Sequence, residues 1–173
     1  MKKFLTKEQI QIFLDALEKK VGKKTLIYDL DGVIYNFEIA AEYWSKKLEV
    51  TVDVFKDEKM YRNVPEFYLN LELIEGAKES IMKLDAVYDI IFVSAPSWGN
   101  VNCFSAKRIS IEKDFGEWAS KRMDLSFHKG HYMGHYLVDD RIKYGAGDFI
   151  GEHIMFGTQP FITHKEVTDY LLK

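Results

Sequence analysis

A chain of 173 residues, 47% hydrophobic and 14% aromatic, can bury a real core but is short for two full domains, so one domain with a modest insertion is expected. Lys and Arg total 24 against 27 for Asp and Glu, and a net charge of −3 without a long basic run argues against a nucleic-acid polymer as partner. Cys103 stands alone, which excludes an internal disulfide, and charge interrupts the N-terminal MKKFLTKEQIQIF before any apolar stretch reaches the length of a signal or a membrane span; the expectation is a soluble protein of a reducing cytoplasm, with no membrane partner and Cys103 as a packed thiol.

Thr6 and Gln9 form a capping box, and Ile10, Phe13, Leu14, Leu17 and Val21 then recur at helical spacing until Gly22 offers a stop. The apolar stripe of this first helix suits packing on the core or a contact between the two copies of a homodimer. Thr25-Leu26-Ile27-Tyr28-Asp29 follows as a short apolar run that suits a strand buried on both faces. From Phe37 to about Tyr68 the pattern is helical and aromatic, without a second convincing strand. It predicts a small helical cap at residues 37–71, inserted between core segments 1–36 and 72–173.

Gly76 opens the next helix, through Leu84, and Tyr88 to Val93 reads as a buried strand that ends at Ser94-Ala95-Pro96. Residues 104–123 are helical by composition, Leu125-Ser126-Phe127 suits a brief strand, and Tyr136-Leu137-Val138 is a strand that runs into Asp139-Asp140-Arg141. Glu152 to Phe156 supplies the last strand, and Thr163 with Glu166 caps a C-terminal helix. Alternation of this kind implies an α/β fold: a mostly parallel, doubly wound, Rossmann-like sheet with helices on both faces, whose ligands gather beyond the carboxyl ends of the strands. Asp29, Ser94 and Asp139-Asp140 all fall at such ends.

In Asp29-Leu30-Asp31-Gly32-Val33 the two carboxylates are spaced by two, so an extended backbone turns both toward one side while Gly32 lets the chain bend away. Two acids in one pocket repel, which favours one ionised group that attacks and one that holds a proton. A solvated turn is the plainer reading, since Asp and Gly are ordinary loop residues. The apolar strand before the motif, and the further polar elements at strand ends, favour a site.

Together, Asp29-Leu30-Asp31-Gly32-Val33, Ser94, Lys129 and Asp139-Asp140 resemble, in order and spacing, the four motifs of the haloacid dehalogenase (HAD) superfamily of phosphohydrolases. More narrowly, DLDGVIYNFE, FYLNLELIEGA, FVSAPSW, EKDFG and HYLVDDR resemble the 5'(3')-deoxyribonucleotidases, in pieces from about residue 25 to 156. The resemblance implies Asp29 as nucleophile on phosphorus, and Asp31 as the acid that protonates the departing sugar oxygen and then activates water. It implies magnesium as cofactor, held by Asp29, the Asp31 backbone carbonyl and Asp140, because a carboxylate attacking a phosphate dianion needs a hard cation between them. Lys129, ten positions before Asp139, matches the lysine that neutralises the phosphoryl oxygens. Ser94 and the Ala95 amide would donate to the phosphate, and Asp139 would orient Lys129 or a metal-bound water. Where the family more often has Thr-Ser-Pro, this chain has Ser94-Ala95-Pro96, one hydroxyl fewer.

Lys107 matches a second family lysine, although a surface helix explains it equally well. Phe37, eight positions after Asp29, matches an aromatic that packs on the substrate base, and Phe67-Tyr68 correspond to aromatics at the return from the cap. The plainer reading of all three is core. His128, His131 and His135 have spacings that suit zinc on a helix, but Gly130 and Gly134 interrupt any helix there, and zinc is set aside.

The expected function is hydrolysis of the phosphate monoester of a small-molecule nucleotide, a (deoxy)ribonucleoside monophosphate. Another small phosphomonoester, or a nucleic-acid end, would keep the chemistry and change the substrate, while an idle binding module would keep only the fold. The second acid favours a phosphatase over the dehalogenases of the superfamily, which lack an acid at that position.

Overall fold

The computed structural model describes residues 5–173. Helix α1 (Lys7–Val21) begins on the expected capping box: the Thr6 side chain accepts from the Gln9 amide, and Gln9 accepts in return from the Thr6 amide. It ends at Gly22, and of its apolar stripe Leu14 is buried while Phe13 and Val21 remain exposed. Strand β1 (Lys24–Tyr28) follows, and the four residues after Lys24 are buried, as a central strand requires.

The next segment carries β2 (Tyr35–Asn36), α2 (Phe37–Lys47), α3 (Val52–Asp57), two 3-10 turns at Met60–Asn63 and Phe67–Leu69, and β3 (Glu72–Leu73). β2 and β3 pair antiparallel, Tyr35 with Leu73 and Asn36 with Glu72. A ladder this short leaves no periodicity in the sequence, which is why the pattern shows only helix there. The chain continues through α4 (Ala77–Leu84), β4 (Tyr88–Ser94), α5 (Cys103–Phe115), β5 (Met123–Leu125), β6 (Tyr136–Asp139), β7 (Glu152–Met155) and α6 (His164–Leu171). α5 stops at Gly116, short of the expected end at 123, and gives way to a 3-10 turn. β5 lies two residues earlier than the pattern suggested, and Ser126 extends its pairing by donating to the Ser94 carbonyl at 3.0 Å.

Five strands form one sheet in the order β5-β4-β1-β6-β7, with every neighbouring pair parallel. The order reverses at β1, so its carboxyl end is the switch point at which such sheets open a crevice. The two faces are unequally covered. Leu26, Tyr28, Ile90, Phe92, Val138 and Ile154 point to the side where α4, α5 and α6 supply Ile81, Leu84, Ile111, Phe115, Val167 and Leu171. Ile27, Val93 and Leu137 point to the other side, where Ala146, Tyr132 and Phe149 meet them and α1 lies beside His135 and Ile150. No helix among the described residues is long and apolar enough to cross a membrane.

Candidate active site

β4 and β6 flank β1, so Asp29, Ser94 and Asp139 emerge at one edge of the sheet. The Asp29 amide donates to the Val138 carbonyl at 2.9 Å, which carries the β1 ladder one residue beyond the strand and fixes the acid at its tip. The chain then closes a tight loop: the Ile34 and Tyr35 amides both donate to the Leu30 carbonyl, and the Gly32 amide donates to the Tyr35 carbonyl, each at 2.8 Å. Gly32 sits at φ +82, in the left-handed region that glycine adopts without penalty, and its missing side chain makes room for Asp140.

One buried lysine holds two acids. Lys129 Nζ lies 3.0 Å from Asp29 Oδ1 and 2.5 Å from Asp139 Oδ2. Asp139 Oδ1 accepts from the Arg141 amide at 2.9 Å, so both its oxygens are occupied. Burial, and then the charge of Asp29, push the Asp139 carboxyl up to about 6, although Lys129 pulls it down. Burial alone would lower the Lys129 ammonium; the Asp29 and Asp139 carboxylates outweigh it and raise it. Burial also raises Asp140, against the pull of Arg141, whose Nε lies 3.2 Å from Asp140 Oδ1.

A second buried lysine holds the other acid. Lys107 Nζ, brought in by α5 and only 2% exposed, donates to Asp31 Oδ2 at 2.6 Å and to Ser94 Oγ at 3.0 Å. The Tyr68 ring lies 5.3 Å from the same ammonium. The surface-helix reading of Lys107 is therefore wrong: α5 packs against the sheet and turns this lysine inward. The expectation of two acids balanced against each other also changes, because Asp29 and Asp31 are held by different lysines.

Carboxylate oxygens of Asp29, Asp139 and Asp140 lie within 4.8 Å of one another. This set fits a hard divalent cation: every donor is a carboxylate oxygen, and Asp29 Oδ1 receives no directed hydrogen bond beyond its ion pair. Asp139 is committed to Lys129 and Arg141, which leaves Asp29 and Asp140 as the acids free to face an ion. The Asp31 carboxylate lies outside the set and on Lys107. Among the described residues no histidine joins such a cluster. His135 Nδ1 accepts from the Thr25 amide at 3.0 Å, and the His128 and His131 rings stack on each other.

A cleft of about 720 Å³ opens beside the acids, lined on one side by Asp31, Gly32, Asp140 and Arg141 and on the other by Phe37, Lys56 and Tyr61. Phe37 thus reaches the cleft, with Tyr61 edge-on to it at 5.4 Å. Phe67 does not: it is fully buried among Phe37, Phe55, Tyr61 and Tyr68, and no face of its ring is free to meet a base. Tyr68 is likewise buried, over Lys107. Ala95, half-buried, follows Ser94 at the strand tip. Sequence reasoning passed over Arg141 and Tyr61, whose only signals were an arginine after two acids and one aromatic among many.

No protein-family model matches the chain. A protein of Vibrio phage KVP40, provisionally named a 5'(3')-deoxyribonucleotidase, is 33% identical over 172 residues, covering 98% of this chain and 96% of the relative. The chain belongs to the 5'(3')-deoxyribonucleotidase family of phosphoric monoester hydrolases. A second member of the family, from Bordetella bronchiseptica and named in the same provisional way, is 28% identical over 152 residues, 76% of this chain and 82% of the relative. Among solved structures, the provisionally assigned HAD-hydrolase YfnB of Bacillus subtilis, bound to magnesium, aligns with a TM-score of 0.59 at 12% identity, covering 87% of this chain and 99% of its own. A HAD family hydrolase of Deinococcus radiodurans R1, with bound phosphate and sodium, aligns at 0.53 and 12% identity, covering 86% and 88%. At such identities the likeness to this family member is one of fold.

Proposed function

We propose that this chain is a magnesium-dependent phosphatase of nucleoside monophosphates, deoxyribonucleotides foremost, that works through an aspartyl phosphate on Asp29. The observation that carries the reading is the pairing of two acids with two buried lysines at one strand edge, Asp29 with Lys129 and Asp31 with Lys107 and Ser94. A family relative named for this activity, matched over nearly its whole length, supports it.

In this reading Asp29 forms a bond to phosphorus as the bond from phosphorus to the sugar oxygen breaks, and Asp31 gives a proton to that departing oxygen. Asp31, now ionised, takes a proton from water, whose oxygen attacks phosphorus and displaces Asp29, releasing inorganic phosphate. Asp31 Oδ1, which has no hydrogen-bond partner, is the oxygen for these transfers, while Oδ2 stays on Lys107. Lys129 and Lys107 offset the negative charge gathered around the phosphoryl group, and Ser94 Oγ and the Ala95 amide donate to its oxygens. Asp29, the Asp31 backbone carbonyl and Asp140 would hold magnesium, which supplies positive charge between the nucleophile and the phosphate dianion. Residues 37–71 act as the cap of a core made of 1–36 and 72–173, and the cleft between them takes the nucleoside, with Phe37 against the base.

The test is phosphate release from a panel of 5'- and 3'-deoxyribonucleotides, ribonucleotides and sugar phosphates, with magnesium, with chelator, and with Asp29→Asn. Release from nucleotides that needs both magnesium and Asp29 is the expected result. Equal rates on sugar phosphates would overturn the substrate assignment, and release that survives Asp29→Asn would overturn the mechanism.

A further inference from the structure

Asn100, in the loop that follows β4, is 2% exposed and belongs to no part of the acid and lysine cluster. Its Nδ2 donates to the Tyr61 carbonyl at 3.0 Å and to the Val64 carbonyl at 2.8 Å, both on the cap. Its Oδ1 accepts from the Asn102 amide at 3.1 Å, at the start of α5. Every polar group of the side chain is thus used, and it joins two segments more than thirty positions apart in sequence. A buried amide satisfied on all sides by backbone holds geometry, because losing one bond leaves a buried carbonyl without its partner.

The contact continues on both sides of Asn100. A Cβ on Gly99 would stand 2.8 Å from Arg62 Cδ, so the bare backbone there lets the cap arginine lie flat on the loop. Ser110 Oγ, on α5, donates to the Tyr68 carbonyl at 3.2 Å. Tyr61, whose carbonyl Asn100 grips, is the aromatic that lines the cleft edge-on to Phe37. The same α5 carries Lys107 to Asp31.

We infer that Asn100 is a positioning residue: by fastening the Tyr61–Val64 turn to the loop after β4, it sets the width of the cleft, and so how a nucleoside is held against the acid pair. Its kinetic consequence rests on the phosphatase reading above; its structural consequence rests on the hydrogen bonds alone. Asn100→Asp keeps the acceptor for Asn102 and removes the two donors to the cap, and Asn100→Ala removes all three bonds.

Amide hydrogen exchange read by mass spectrometry tests the structural half. In both variants exchange in residues 60–69 should rise about tenfold or more, while residues 24–28 and 88–94 keep wild-type protection. Kinetics test the other half, since a nucleotide reaches the cap and para-nitrophenyl phosphate does not depend on it. KM for the nucleotide should rise about tenfold, with kcat/KM for the aryl phosphate within about twofold of wild type. Unchanged exchange at 60–69, exchange raised equally throughout, or an equal loss on both substrates would each overturn the inference. Should the wild-type protein release phosphate from neither compound, the phosphatase reading falls, and the exchange comparison still decides what Asn100 does.

Discussion

A Cβ built on Gly32 would stand 2.6 Å from Asp140 Oδ2 and 2.9 Å from Asp140 Cγ. The loop that carries both acids and the carboxylate arriving from β6 therefore meet at a point where no side chain fits, and φ +82 adds strain for any other residue. Gly32→Ala should displace Asp140 and, on the mechanism proposed above, reduce phosphate release in magnesium by about a hundredfold or more. Its melting temperature should fall only modestly, by the equivalent of about 1–2 kcal/mol. A variant that released phosphate in magnesium at the wild-type rate would show that Asp140 does not need this space.

Lys107 and Asp31 form a buried pair, with side-chain exposures of 2% and 11%. Lys107→Met should cost about 3 kcal/mol in urea unfolding, since it strands a buried carboxylate. Combining it with Asp31→Leu should recover most of that loss while leaving the protein inactive, because replacing both members of a buried pair is far cheaper than removing one. Equal stability of the single and double variants would mean that Asp31 relaxes to solvent instead.

Phe37 and Phe67 touch, with ring centroids 5.0 Å apart, yet they should respond to truncation in opposite ways. Phe37→Ala opens the cleft wall and should raise KM for a nucleotide several-fold with a small loss of stability. Phe67→Ala empties the centre of the aromatic cluster and should cost about 3–5 kcal/mol. Paired chemical denaturation and steady-state kinetics separate the two, and a large stability loss at Phe37 would move it into the core.

Stability should depend on pH through His164, whose Nε2 meets the Val33 carbonyl at 2.8 Å and which is 1% exposed. Burial lowers its pKa below the ordinary 6.5, so in acid the unfolded chain takes up a proton that the folded chain refuses. The stability it supports is complete above about pH 6.5 and falls as pH drops below that value, by up to about 1.4 kcal/mol per pH unit until the folded group titrates. His135 and His153 shift the same way, whereas Asp139, held near 6, acts in the opposite sense below that pH. The comparison of wild type with His164→Gln isolates the residue: urea midpoints measured between pH 7.5 and 5.5 should fall less steeply in the variant. Parallel slopes would mean that folded His164 takes up a proton as readily as the unfolded chain does.

What the sequence alone makes legible is local. The capping boxes at Thr6 and Thr163, the apolar run before Asp29, the glycine after Asp31 and the acids at Asp139-Asp140 each act on neighbours within a turn or along one strand, so the sequence window contains the whole cause. That was enough to recognise the α/β architecture and to point to the carboxyl edge of the sheet. Only the tertiary structure could decide that Lys107, on a helix rich in charge, points inward to an acid seventy-six positions away, or that Phe67 is core while Phe37 faces the cleft. It also brought Asn100 onto the Tyr61 and Val64 carbonyls and Asp140 against Gly32. The reason is that burial and partnership are settled by which strand becomes central and which helix packs over it, and those long-range choices leave no periodic trace in the residues they bring together.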